Sequence, residues 1–341
     1  MNLTINEIAR LAQVSKGTVS KVLNNYPGIN EKTRERVMKI VKQHDFEPNS
    51  AAQALAFRRT GNIGLIIPHS PLYAMHDTFW ASLVMSVTTE VIANGFNLVL
   101  HLPQQEGRME DLFKSILRKK QLDGLIIGAE LLDKNYLTSL IKNDTPFVLL
   151  GQNPGFSHCA VDVDNRHAGQ AICQHLLDHG YKRIAMVSGP SEFYHYADRA
   201  NGYLDALESA GVSYRRVVNV VLDNSAIMEK AIRELLQSDP PDAIICNAGG
   251  EFMFDCLTAC RNVGFDIPEK GFATFDDYRH LDFMSPGITA VRQPFLEIGQ
   301  ATVQMLVDLI KGQVPETELV ITKTSIVPRE SCGETRTRNR S

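Results

Sequence analysis

Thr4-Ile5-Asn6-Glu7-Ile8-Ala9-Arg10-Leu11-Ala12-Gln13-Val14-Ser15-Lys16-Gly17-Thr18-Val19-Ser20-Lys21-Val22-Leu23-Asn24 decides how the N-terminus folds. Thr4 and Glu7 have the S/T-x-x-E spacing of a capping box: the threonine hydroxyl closes the first turn and the glutamate reaches back to the Thr4 amide. A helix is therefore expected from about Ile5. Ile8, Leu11 and Ala12 share its apolar face, the pattern stops at Gln13-Val14, and Ser15 offers a second N-cap. A second helix is expected from Ser15 to Leu23, with Val19, Val22 and Leu23 packing on the first. Its other face carries Lys16, Gly17, Thr18, Ser20 and Lys21. A third helix follows the Asn30 cap through Val37, Ile40 and Val41, leaving Thr33, Arg34 and Arg36 outward.

That outer face suits a DNA major groove. Lysine donates to guanine O6 and N7, hydroxyls reach phosphates, and Gly17 permits close approach. The charge distribution agrees, since residues 1–60 hold ten Lys/Arg against five Asp/Glu, or +5, while the remainder holds 25 against 34, or −9. A basic head on an acidic body points to a polyanion as partner of the head alone.

The chain of 341 residues, 44% hydrophobic and 22% charged, is long enough for two or three globular domains. No apolar run approaches the roughly 20 residues needed to span a bilayer, and the N-terminus is not an export signal, so no membrane partner and a cytoplasmic location are expected. Cysteines 159, 173, 246, 256, 260 and 332 form no CxxC pair and read as reduced structural thiols. No metal site and no cofactor are expected. With no Walker loop, GxSxG elbow, HExxH or GxGxxG after the first body strand, nor is an enzyme.

Residues 49–60 read as a hinge. Asn49 through Ala56 has a cap and good helix formers but spans only about two turns, which is marginal in water without a partner. From Asn62 onward, short β-rich runs alternate with amphipathic stretches. Ile63–Ile67, Leu98–Leu100, Gly124–Ile127 and Phe147–Leu150 form a first set of expected strands, and Ile184–Val187, Val217–Leu222, Ala243–Ile245 and Phe272–Phe275 a second. Two similar α/β lobes with parallel sheets and a cleft between them account for this alternation.

The head, through Ile5-x-x-Ile8-Ala9-x-x-Ala12-x-Val14-Ser15-x-x-Thr18-Val19-Ser20-x-Val22-Leu23-Asn24 and Thr33-Arg34-x-x-Val37, closely resembles the headpiece of the lactose-repressor family of bacterial regulators. The body resembles that family's sensor, which is similar to type I periplasmic sugar-binding proteins. Its landmarks are Val163-Asp164-Asn165-x-x-Ala168-Gly169, Gly180-Tyr181-x-x-Ile184, Arg199-x-x-Gly202-Tyr203-x-x-Ala206-Leu207, Phe275-Asp276-Asp277 and Thr289-x-Val291-x-Gln293-Pro294.

The resemblance implies a helix-turn-helix headpiece over 1–48, the hinge helix over 49–60, and a two-lobed effector-binding and dimerisation body over 61–330. One lobe would hold about 61–159 and 290–319, the other about 160–289 and 320–330, with a basic tail at 331–341. The chain would thus cross between lobes near Cys159, Thr289 and Leu319. Base contacts are expected from Lys16, Gly17 and Lys21, and backbone contacts from Thr4, Ser15, Thr18, Ser20, Asn24 and Thr33. In the hinge, Asn49, Ala52 and Leu55 are expected on DNA, with Leu55 wedged into the minor groove.

Arg199 and Asp276 match the family's principal effector contacts, although an Arg–Asp pair is also an ordinary salt bridge. Trp80 could stack on a ligand ring or belong to the core, and His69 and Asn247 are further candidates. The implied function is a DNA-binding transcription regulator, a repressor, controlled by a sugar or other small polar metabolite. Its implied partners are pseudo-palindromic operator DNA, the effector and a second copy of the chain. Two departures stand out: Gln13 occupies a turn position where glycine is usual, and Cys246-Asn247-Ala248-Gly249-Gly250-Glu251 lacks the usual Asn-Asp pair.

Overall fold

The computed structural model describes residues 3–23, 26–44, 46, 59–71, 74, 78–103, 109–129, 133–153, 155–221 and 225–333. The chain divides into two compact units, Met1–Gly61 and Asn62–Ser341.

In the first unit, α1 (Ile5–Leu11), α2 (Lys16–Leu23) and α3 (Glu31–Gln43) surround a small core of Ile8, Ala9, Ala12, Val19, Val22 and Val37. The capping box forms on both sides: Thr4 N donates to Glu7 Oε2 at 2.6 Å, and Glu7 N donates to Thr4 Oγ1 at 3.4 Å. Gln13 takes a left-handed conformation, φ 51°, so the turn keeps the shape a glycine would give it, at a cost of about 1–2 kcal/mol. One expectation is corrected. Leu11 is 44% exposed, because at 100° per residue it sits well off the direction shared by Ile8 and Ala12.

The second unit contains two six-stranded sheets. In the first, β1 (Asn62–Ile66), β2 (Asn97–His101), β3 (Gly124–Gly128), β4 (Phe147–Leu150), β5 (Ala160–Val163) and β11 (Leu319–Thr322) lie in the order β11-β5-β4-β3-β1-β2, all parallel. The second has the order β12-β10-β9-β8-β6-β7. It comprises β6 (Ile184–Ser188), β7 (Arg216–Asn219), β8 (Ala243–Cys246), β9 (Gly271–Phe275), β10 (Thr289–Arg292) and β12 (Ser325–Val327). Only β12 runs antiparallel. The central strands β3, β4, β6, β8 and β9 are buried throughout, as parallel strands covered on both faces must be.

The covering helices are α4 (Thr78–Ala93), α5 (Met109–Lys119), α6 (Lys134–Lys142) and α11 (Phe295–Ile310) on the first sheet, and α7 (Asn165–Asp178), α8 (Tyr194–Ser209), α9 (Ser225–Ser238) and α10 (Gly250–Asn262) on the second. The chain passes between sheets after Val163, after Arg292 and after Thr322. Each crossing is a few residues later than expected, because β5, β10 and β11 each complete their pairing before the chain leaves. No described helix is long and apolar enough to cross a membrane.

Candidate nucleic-acid interface and effector cleft

In the first unit, Lys16, Gly17 and Lys21 of α2 are exposed, with Thr18 and Ser20 half-buried beside them. Ser15 caps the helix: Thr18 N donates to its Oγ at 3.1 Å, and the two hydroxyls lie 2.9 Å apart. Thr33 is half-buried on α3, and Asn30 Oδ1 accepts from Lys32 N at 3.0 Å. Thr4 is exposed, and its hydroxyl donates to Glu7 Oε2 at 2.9 Å. The Thr4 amide and hydroxyl hold the Glu7 carboxyl below the usual carboxylate range.

A Cβ on Gly17 would meet only Ser15 Oγ, at 3.7 Å. The fold therefore does not require glycine there, and its effect is to leave room at the surface. Lys16 and Lys21 make no ion pair among the described residues, so both ammonium groups are available to a polyanion. Asn24, Asn49, Ala52 and Leu55 lie outside the described residues, as do all but the last two positions of the hinge and most of the basic tail.

In the second unit, a cleft of about 370 Å³ lies between the sheets. Ala129 follows β3, Leu150–Asn153 end and follow β4, Asp162–Val163 close β5, Asp276 follows β9 and Gln293 follows β10. The cleft thus sits at the carboxyl ends of parallel strands, where open α/β sheets place their ligands.

Arg199 is the centre of its polar wall. It is 6% exposed; Nε donates to Asn165 Oδ1 at 2.8 Å, Nη1 donates to the Asn247 carbonyl at 3.3 Å, and the guanidinium lies 4.3 Å above the Phe275 ring. Of its five N–H donors, three make no further hydrogen bond among the described residues. Its position depends on a backbone-close crossing of α7 and α8. A Cβ on Gly202 would come within 1.8 Å of the Arg166 carbonyl oxygen, and one on Gly169 within 2.0 Å of the Arg199 carbonyl oxygen. The two glycines bring Asn165, at the start of α7, within reach of Arg199 on α8.

Asp276 adopts φ 62°, an uncommon conformation for a residue with a side chain, and its Oδ1 accepts from Gln293 Nε2. Burial raises its pKa, while the Arg199 guanidinium and the Gln293 amide act the other way. Asp162 is a second carboxylate in the wall. Its Oδ1 accepts from Val163 N at 2.7 Å and Asn165 Nδ2 at 3.3 Å, and its Oδ2 from Gln152 Nε2 at 3.2 Å. Burial pushes it up to about 6.

Trp80 is 3% exposed and belongs to the core, and it also lines the cleft. Phe79 meets it edge-on at 5.4 Å, and Gly128 lies so close that a Cβ would stand 2.5 Å from its Cη2. Two candidates stand outside the cleft lining. His69 does not line the cleft but packs 6.0 Å from the Trp80 ring. Asn247 is fully buried behind Arg199, its Nδ2 donating to Ser188 Oγ at 2.9 Å and to the Tyr196 carbonyl at 3.0 Å. It supports the arginine through its carbonyl rather than facing the cleft.

Sequence reasoning missed Asp162, Asn165, Gln293 and the aromatic run Phe193–Tyr196, all of which line the cleft. Asn165 and Gln293 stood within recognised landmarks. The run Phe193-Tyr194-His195-Tyr196 immediately before Arg199 was a visible signal, as was a carboxylate inside the otherwise apolar Ala160–Val163.

A basic three-helix head with an open reading face, joined to a two-sheet body with a polar cleft, defines the class of ligand-sensing DNA-binding regulators. The chain carries a DNA-binding domain of the lacI family of bacterial regulatory proteins, whose model matches residues 4–49, followed by a periplasmic binding protein-like domain, whose model matches residues 173–332, and it is a DNA-binding transcription regulator. The HTH-type transcriptional regulator CelR of Thermobifida fusca is 29% identical over 335 residues, spanning 96% of this chain and 98% of that protein. Catabolite control protein A of Priestia megaterium is 28% identical over 326 residues, spanning 94% and 96%.

Among solved structures, a transcriptional regulator CelR–cellobiose complex superposes with a TM-score of 0.73 at 28% identity, covering 97% of this chain and 100% of that one. The lac repressor dimer bound to operator and the anti-inducer ONPF gives 0.79 at 21% identity, covering 97% and 99%, a likeness of fold.

Proposed function

We propose that this regulator represses by binding a pseudo-palindromic operator as a homodimer in the cytoplasm, and that a sugar-like effector in the cleft controls its operator affinity. Lys16, Gly17 and Lys21 read bases, Thr4, Ser15, Thr18, Ser20 and Thr33 contact the backbone, and Asn24, Asn49, Ala52 and Leu55 extend the contact. Met85 and Ile92, one heptad apart on α4 and 64% and 65% exposed, together with Phe254 on α10 and the exposed Phe283, supply apolar surface for a partner copy.

The observation that carries the effector reading is Arg199. It is buried, oriented by Asn165 and the Asn247 carbonyl, and backed by the Phe275 ring, yet it keeps donors for a cleft that Trp80 also lines. A guanidinium fork, a carboxylate and an aromatic face together suit a polyhydroxylated ring. The structural relative crystallised with cellobiose makes a disaccharide the natural first probe. Because Trp80 is the sole tryptophan, its fluorescence reports on the cleft directly. Titration with cellobiose and related saccharides should change that emission saturably in the wild type and not in Arg199→Ala. A ligand that binds both proteins equally would place the effector elsewhere.

A further inference from the structure

The charged groups of the cleft do not balance. Its lining holds one guanidinium, Arg199, and three carboxylates, Asp162, Asp276 and Glu192. Glu192 is exposed at the rim, where solvent screens it. Asp276 shares the wall with Arg199. Asp162 is different, because the hydrogen bonds it accepts come from neutral donors, the Val163 amide and the side chains of Asn165 and Gln152. The Arg199 guanidinium acts on it at a distance, lowering its pKa, and makes no hydrogen bond to it among the described residues; Asn165 stands between them, its amide nitrogen facing Asp162 while its oxygen accepts from the guanidinium. His195, the other cleft group able to carry positive charge, packs its ring 4.1 Å from that of Tyr196.

A buried carboxylate that makes no ion pair is unfavourable; burial raises the Asp162 pKa even though Arg199 acts to lower it, and that one guanidinium also serves Asp276. A neutral saccharide leaves it uncompensated, and a phosphorylated one adds repulsion from both Asp162 and Asp276. We infer that the effector of this chain is an amine-bearing saccharide, whose protonated amino group sits against Asp162 while its hydroxyls engage Arg199 and Asp276. This inference rests on the cleft being the effector site.

Isothermal titration of the full chain with the glucosamine disaccharide, cellobiose and glucose 6-phosphate at neutral pH tests it. The glucosamine disaccharide should bind about tenfold or more tightly than cellobiose, and its affinity should fall with added salt while that for cellobiose changes little. Asp162→Asn should abolish the preference, with its melting curve and operator binding checked for intact folding. The salt dependence in the wild type keeps the test independent of that variant. Equal or tighter binding of cellobiose, tightest binding of glucose 6-phosphate, or no binding of the glucosamine disaccharide at millimolar concentration would overturn the inference. If cellobiose or glucose 6-phosphate binds and Arg199→Ala removes that binding, the cleft remains the effector site and only the amine assignment fails. Binding that survives Arg199→Ala would instead count against the cleft itself.

Discussion

Gly249 lies directly against Asp276: a Cβ on the glycine would stand 2.6 Å from the Asp276 Cβ and 3.0 Å from the Phe275 carbonyl oxygen. The glycine opening the approach to α10 thus lets a left-handed aspartate project into the cleft. Gly249→Ala should displace Asp276 and weaken effector binding about tenfold, or 1.4 kcal/mol. Trp80 emission titrations compare the two proteins, and an unchanged affinity would mean that Asp276 needs no such support.

Gly202 holds the other half of the wall in place. A methyl group there would collide with the Arg166 carbonyl at 1.8 Å, with backbone on both sides of the clash. Gly202→Ala should destabilise the body by about 1–3 kcal/mol or more and abolish effector binding, since α7 and α8 must separate. Thermal melting and ligand titration together check both effects.

Lys16→Ala and Lys21→Ala should each cost about 1–3 kcal/mol on the preferred operator and relax preference at one base position per half-site. Selection from random DNA followed by affinity measurement decides the matter. Retention of wild-type affinity and preference by both variants would remove these lysines from the reading face.

Asp162 predicts a pH dependence of defined sign. Its folded-state pKa, about 6, lies above the ordinary 3.8, so between those values the folded protein binds more protons than the unfolded chain. Stability should therefore decline as pH rises from about 4 through about 6, and the penalty is complete above that range. Asp162→Asn should flatten this contribution and melt higher than the wild type at neutral pH, by a few °C. The melting-temperature difference between the two proteins should shrink toward pH 4, and a difference independent of pH would contradict the assignment.

The head was legible because its signals are local. The capping box at Thr4 and Glu7, the Ser15 cap and the Asn30 cap each lie within a few residues of the turn they close. The buried strands of both sheets were legible as apolar runs. What escaped was non-local. β5, β10 and β11 are four residues each, and β11 finds its partner, β5, in the other half of the chain. His69 and Asn247 lie beside residues of the cleft rather than in its lining, because sequence order does not tell which face of a wall a side chain occupies. Asp162 was passed over for the same reason: only the folded cleft shows that a carboxylate in a short strand faces a ligand-sized space.

The central claim is that the cleft and the DNA-reading face are coupled through Arg199. Operator affinity of the wild type and of Arg199→Ala, measured with and without a ligand shown by Trp80 emission to bind, tests it most directly. A shift of about 5- to 150-fold is expected in the wild type, a coupling of about 1–3 kcal/mol. Operator DNA should shift ligand affinity by the same factor, and Arg199→Ala should keep basal operator binding while losing the response. A wild-type operator affinity that does not change when the cleft is saturated, or an Arg199→Ala protein that responds as the wild type does, would contradict it.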